Sequence, residues 1–160
     1  MNGLSQEEID ARVAKAVALF KEGFNCSQSV VAAYADLEGF SQEQALKMSA
    51  SFGGGIGRMR ETCGAACGMF LLAGLKTGVT DGADRDGKAA NYAFVQQLAE
   101  EFKQHNGALR CADLLNLPDN EPTVATPEAR TTHYYKKRPC VKIVEEAARI
   151  WGEQLRKKDE

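Results

Sequence analysis

Ser5-Gln6-Glu7-Glu8, followed by Ile9, Val13, Ala16, Val17 and Phe20 at helical intervals, sets the helical pattern that the rest of the chain repeats. A serine hydroxyl and a glutamate carboxylate three residues apart satisfy each other's orphan backbone N–H groups, the arrangement known as a capping box. The apolar positions behind it predict a helix over about residues 6–21, with Gly23 as its stop. The same grammar recurs downstream. Asn25, with Gln28 three residues on, opens a second helix carrying Val30, Val31, Ala33, Tyr34 and Leu37. Ser41-Gln42-Glu43-Gln44 opens a short third helix, which must end before the run Gly53-Gly54-Gly55-Ile56-Gly57.

Thr62 is the expected cap of a fourth helix that carries Cys63, Cys67, Phe70, Leu71 and Leu75 and stops near Gly78. A charged turn over Asp81–Gly87 precedes a fifth, in which Tyr92, Val95, Leu98, Ala99 and Phe102 recur at intervals of three and four before Gly107. Pro118, Pro122 and Pro127 fall in a polar stretch without a period, which predicts a surface loop at about residues 117–132. Pro139 suits the first position of a final helix striped by Val141, Val144, Ala148, Trp151 and Leu155. No segment reads as a strand and no internal repeat is visible. The expectation is therefore an all-α single domain over 1–160, a bundle of about five to six helices with cysteines at helix N-termini.

Composition narrows the partners. At 160 residues, 44% apolar and 26% charged, the chain can bury roughly 70% of its unfolded surface without covalent staples. Twenty basic against twenty-two acidic side chains, with no long basic stripe, speak against nucleic acid as a partner. No apolar run approaches the length of a membrane span, and the N-terminus has neither the basic nor the apolar region of a signal peptide, so the expected location is the cytoplasm. Five cysteines cannot all pair internally, and a reducing compartment disfavours structural disulfides in any case. Reactivity or metal binding is the better use for them.

Cys26, Cys63 and Cys140 fall in the first turns of expected helices, where unsatisfied N–H groups and the positive end of the macrodipole favour the thiolate. Lys136, Lys137, Arg138 and Lys142 surround Cys140 and act in the same direction, although a basic run beside a loop is also an ordinary solvated face. Cys63 and Cys67 stand one helical turn apart, a spacing open to two ligands of one metal and strained for a disulfide inside an intact helix. Neither a CxxC, nor a paired zinc-ribbon motif, nor CxxCH is present. Cys111, in Arg110-Cys111-Ala112-Asp113, shows no helix start and reads as a buried thiol.

These residues resemble a redox-active protein family of bacteria and archaea defined by a Cys, a CGAxxG motif and two further single cysteines, the C_GCAxxG_C_C family. Here they are Cys26, then Cys63-Gly64-Ala65-Ala66-Cys67-Gly68, then Cys111 and Cys140. The resemblance runs from about Gly23 to Val144 and includes the glycine run ahead of the motif. It implies a redox role for the four cysteines, and a similar module in split-Soret cytochromes suggests an iron–sulfur role for such residues. Cys67 occupies one of the motif's variable positions.

Other signals are weaker. Gly53-Gly54-Gly55-Ile56-Gly57 with Arg58 and Arg60 could form an anion-binding nest, but it is neither a Walker A nor a GxGxxG after a strand, and close backbone approach to the cysteines explains it more simply. Asp81, Asp84, Asp86 and Gly87 do not keep the register of a calcium loop. His105 and His133 are isolated, and Tyr134 and Tyr135 read as packing. The preferred function is thiol–disulfide chemistry, with Cys63 as the attacking thiolate and Cys26, Cys111 or Cys140 as its resolving partner, requiring no cofactor and serving an unknown redox partner or small molecule. The alternative is a module in which Cys26, Cys63, Cys111 and Cys140, with Cys67 a further candidate, hold an iron–sulfur cluster or another soft metal. A third reading is a non-catalytic helical interaction domain with inert thiols. A homo-oligomer is open in each.

Overall fold

The computed structural model describes residues 3–156; residues 1–2 and 157–160, the two ends of the expected domain, lie outside the described residues. Eight α-helices make up most of them: α1 (Gln6–Lys21), α2 (Cys26–Ala32), α3 (Gln42–Ser49), α4 (Gly64–Thr77), α5 (Arg85–Asn106), α6 (Cys111–Leu114), α7 (Thr132–Lys137) and α8 (Cys140–Gln154). Short 3-10 turns, Ala35–Glu38 and Ala50–Phe52, follow α2 and α3. No strand forms among the described residues, only isolated bridges between Leu4 and Arg156 and between Thr62 and Arg110. The helix count exceeds the expected five to six because α6 and α7 span only four and six residues, too short to print an apolar period.

All three expected capping boxes form, on Ser5 and Glu8, Asn25 and Gln28, and Ser41 and Gln44. Two expected starts shift by a residue. Cys63 itself is the N-cap of α4, without a side-chain cap bond, and Thr62 instead joins the bridge to Arg110. Pro139 is the N-cap of α8, so Cys140 becomes its first residue.

The core gathers where α8 packs on α1, α4 and α5, and α2 packs between α1, α3 and α4. Ile9, Phe20, Val30, Met69, Leu72, Phe102 and Trp151 are its large, fully buried members. Tyr34 is buried with them and donates its hydroxyl to the Ala148 carbonyl at 2.6 Å, so the phenol enters the core without an unsatisfied polar end. Small residues decide the closest crossings. A Cβ on Gly68 of α4 would stand 3.0 Å from the Val30 side chain and 3.2 Å from the Ser27 carbonyl of α2. On Gly152 of α8 it would meet the Tyr34 hydroxyl at 2.6 Å and Ile9 at 2.7 Å.

Two glycine-to-alanine substitutions should therefore move stability in opposite directions. Gly152→Ala overpacks the α1–α8 crossing and should destabilise by about 1–3 kcal/mol. Gly74→Ala, whose added Cβ meets nothing within 4 Å, should stabilise α4 by about 0.5–1 kcal/mol. Urea unfolding of the two variants measures both.

Candidate functional site: a four-thiol cavity

Three local devices bring distant cysteines together. The first is the α2–α4 crossing: a Cβ on Gly64 would stand 2.4 Å from Cys26 Sγ and 2.6 Å from the Phe52 carbonyl, so the Cys26 sulfur lies directly on the backbone that follows Cys63. The second is a short antiparallel pairing of the segments ahead of α4 and α6. Cys63 N–H donates to the Leu109 carbonyl at 2.9 Å and Cys111 N–H to the Glu61 carbonyl at 2.6 Å on either side of the Thr62–Arg110 bridge, setting the two cysteines diagonally across the pairing. The third is the glycine-rich loop, in which Gly54, Gly55, Ile56, Gly57 and Arg58 are consecutive left-handed residues with φ between 58° and 74°. For Ile56 and Arg58 that conformation costs about 1–2 kcal/mol each, and a β-branched residue there is a true outlier. The curl presses Gly55 against Cys111, whose Cβ would be 2.6 Å from a Cβ on the glycine.

The result is a cavity of about 300 Å³ lined by Cys26, Cys63, Cys111 and Cys140, four residues spread over more than a hundred positions of sequence. Cys67 does not line it. Its sulfur donates instead to the Thr62 carbonyl at 3.7 Å. All five cysteines are free thiols. Cys63 and Cys111 are 6% and 7% exposed, whereas Cys26 and Cys140 are half-buried and the more exposed residues of the four. Cys26 is the hub: Cys63, Cys67 and Cys140 each sense its charge, and it senses that of Cys111.

Each cavity sulfur has a donor. Burial pushes the Cys26 thiol up, against the opposing pull of the Gly54 amide and then of the Ser27 and Cys26 amides. Burial and the neighbouring Cys26 push Cys63 well above the usual thiol range, with the Ala66 and Ala65 amides opposing. Cys140 is pushed up to about 11 by burial and by Cys26 and Cys111, while Arg138 and a hydrogen bond from Tyr134 pull it down. Arg60 Nη1 donates to Cys111 Sγ at 3.7 Å. The expected activation of Cys63 by its helix start is thus reversed, because removing a thiolate from water outweighs a few amide dipoles. Cys111 is also corrected: it does open a helix, the short α6.

The glycine run lies close against the cysteines, the reading preferred over an anion nest. The N–H groups of Ile56, Gly57, Arg58, Arg60 and Glu61 close the loop on itself, and the Gly54 amide faces Cys26. Residues 124–128 of the proline-containing loop wall the cavity, with Ala125, Pro127 and Glu128 in its lining. Arg58 holds the loop there by donating to the carbonyls of Val124, at 2.6 Å, and Thr126. Sequence reasoning missed Tyr134 and Arg130. Tyr134 is buried and reaches Cys140; Arg130 lies 4.0 Å over the Phe20 ring and donates to the Phe20 and Phe24 carbonyls. No sequence signal marked Arg130, and Tyr134 read only as packing. His105 pairs with Glu146 at 3.4 Å, and neither it nor His133 lines the cavity. Among the described residues no three of His, Cys, Asp and Glu stand close enough to share one metal ion, and no helix is long and apolar enough to cross a membrane.

A mostly helical protein that turns four distant cysteines onto one cavity defines the class: a thiol-centred protein. The chain belongs to the family described as "Putative redox-active protein (C_GCAxxG_C_C)", whose model matches residues 24–154. It is also similar to an uncharacterized protein of Archaeoglobus fulgidus, 28% identical over 153 residues that cover 90% of this chain and 93% of that one. No solved structure matches it.

The pH dependence follows from the raised thiols. A thiol whose folded pKa exceeds its unfolded value keeps its proton longer in the folded state. The stability this confers is present below the ordinary value of 9.0 and is lost as pH rises towards the Cys140 value of about 11. Iodoacetamide labelling resolved by peptide should show Cys63 reacting more slowly at neutral pH than the same residue in the urea-unfolded chain. Chemical denaturation at increasing alkaline pH should show stability falling through that window.

Proposed function

We propose that the cavity is a dithiol–disulfide redox centre in which Cys26 is the outer, attacking sulfur and Cys63 its buried partner. The observation that carries this reading is the seating of Cys26 Sγ against the Cys63–Gly64 backbone, with Cys26 half-buried and Cys63 behind it. The family's description as redox-active supports it. The roles assigned from sequence are exchanged, since the more exposed residue of the two is the one a disulfide substrate can meet.

The chemistry balances as ordinary exchange. The Cys26 thiolate attacks one sulfur of a disulfide-bearing substrate, breaking the S–S bond, forming a mixed disulfide and expelling one thiolate. The Cys63 thiolate then attacks Cys26 Sγ and expels the second. Two protons leave the cysteines and the two expelled thiolates of the substrate take them up to become thiols, so the substrate is reduced by two electrons and the protein is oxidised by two. Protonated at neutral pH, both sulfurs react faster as pH rises. The proposal places the protein in the cytoplasm, where reductants can restore the dithiol.

A second reading is favoured by a separate observation: every cavity sulfur faces an N–H or O–H donor, from Gly54, Ala65 and Ala66, Arg60 and Tyr134. Hydrogen bonds of that kind tune thiolate-bound iron–sulfur clusters. Cys26, Cys63, Cys111 and Cys140 would hold such a cluster, whose ligand sulfurs spread wider than those of a single ion, and it would supply one-electron transfer.

Metal-free protein oxidised mildly should contain one disulfide joining Cys26 to Cys63, reversible with dithiothreitol and abolished by Cys26→Ser. Protein purified anaerobically should be colourless and lack labile sulfide. A coloured preparation with iron and sulfide, bleached by loss of any of the four cysteines, would replace the exchange reading with the cluster reading.

A further inference from the structure

The cavity carries more positive charge than its own residues neutralise. Arg58, Arg60, Arg130 and Arg138 line it, and Glu128 is the one carboxylate among its lining residues. Glu128 is engaged with Arg138 at 2.6 Å. Among the described residues Arg58, Arg60 and Arg130 have no carboxylate within ion-pair distance; they are fixed by the Val124 and Thr126 carbonyls, by Cys111 Sγ, and by the Phe20 and Phe24 carbonyls respectively. Neutral acceptors of this kind orient a guanidinium without cancelling its charge. Burial, and after it the neighbouring Arg60 and Arg138, lower the Arg58 pKa. The cysteines do not supply the missing negative charge, because burial holds Cys26, Cys63 and Cys140 protonated at neutral pH. Apolar side chains, among them Phe20, Leu114 and Ile143, complete the lining, with the Phe20 ring directly beneath Arg130.

We propose that this cavity binds a small oxyanion-bearing molecule, its charged end among Arg58, Arg60 and Arg130 and its remainder on the apolar lining beside the thiols. The inference rests on reading the cavity as the redox site, and it names the class of that site's substrate: a small anion. A volume of about 300 Å³ lies at the lower end of small-molecule pockets and suits a small ligand. Guanidiniums held in a fork geometry suit carboxylate, sulfonate or phosphate heads, and clefts of one charge sign concentrate such ligands.

Iodoacetate and iodoacetamide, which share size and leaving group and differ by a charge, provide the test. The ratio of their alkylation rates at Cys26 and Cys140, measured by peptide mass spectrometry on the reduced full chain at mildly alkaline pH, is independent of each thiol's own pKa. Relative to the urea-unfolded chain it should be raised in favour of iodoacetate on the order of tenfold. High salt and Arg60→Gln should each bring it down, and inorganic sulfate at constant ionic strength should slow iodoacetate at both residues. Because Arg130→Gln also frees the α1–α2 turn from its anchor, Arg58→Gln serves as the second variant. A ratio equal to or below that of the unfolded chain, insensitive to salt and to both variants, overturns the proposal. The outcomes separate the two readings: a raised ratio without a Cys26–Cys63 disulfide keeps the anion site and removes the exchange chemistry. A reversible disulfide with an unfolded-chain ratio does the reverse.

Discussion

The contact on which the rest depends is the approach of α2 to α4 across Gly64 and Gly68. Any side chain at Gly64 would occupy the space of Cys26 Sγ, and one at Gly68 would push on Val30 and the Ser27 carbonyl. The apolar helices of the core tolerate many exchanges of volume; at Gly64 this crossing has no room for a side chain. The glycines and alanines at the start of α4 thus serve packing and chemistry together. They let two helices meet closely enough that a cysteine opening one lies on the residue following a cysteine that caps the other.

Around that contact two effects compete for the thiols, and magnitude decides between them. Helix starts place amide N–H groups on Cys26 and Cys63, which stabilise a thiolate. Burial removes the water that would otherwise stabilise it, and for a group this enclosed desolvation is the larger effect. A centre built this way is not a constitutively activated nucleophile. Its thiols stay protonated and protected at rest. The donors already aimed at each sulfur become effective once negative charge develops there, as it does when a proton leaves. The uncompensated arginines of the loop and of the segment ahead of α7 act in the same sense on any anion that enters.

Much of this was legible in the residues. Capping boxes and three-to-four periodicity located the six longer helices, because each rests on local hydrogen bonding and a buried stripe. The four cysteines were legible as a set through their motif. Their meeting was expected from it, but not the means, because the Glu61–Cys63 and Leu109–Cys111 pairing is two short irregular segments without alternation or length. Helix α6 is likewise a single turn, so Cys111 showed no start. The left-handed run was readable as flexible glycine but not in its direction, since Ile56 and Arg58 adopt it against their own preference. Thiol acidity was misread for a different reason: a helix start is a property of sequence, whereas burial is a property of the whole fold.

The account stands most directly on Cys26 and Cys63 being within bonding reach of one another in the folded, reduced chain. Phenylarsine oxide, whose arsenic bridges two sulfurs, tests this without any oxidation. Titrated into the reduced protein and followed by alkylation and peptide mapping, one equivalent should protect Cys26 and Cys63 together and leave Cys67 as reactive as before. Protection that required unfolding, or that paired Cys67 with Cys63 while leaving Cys26 open, would contradict it.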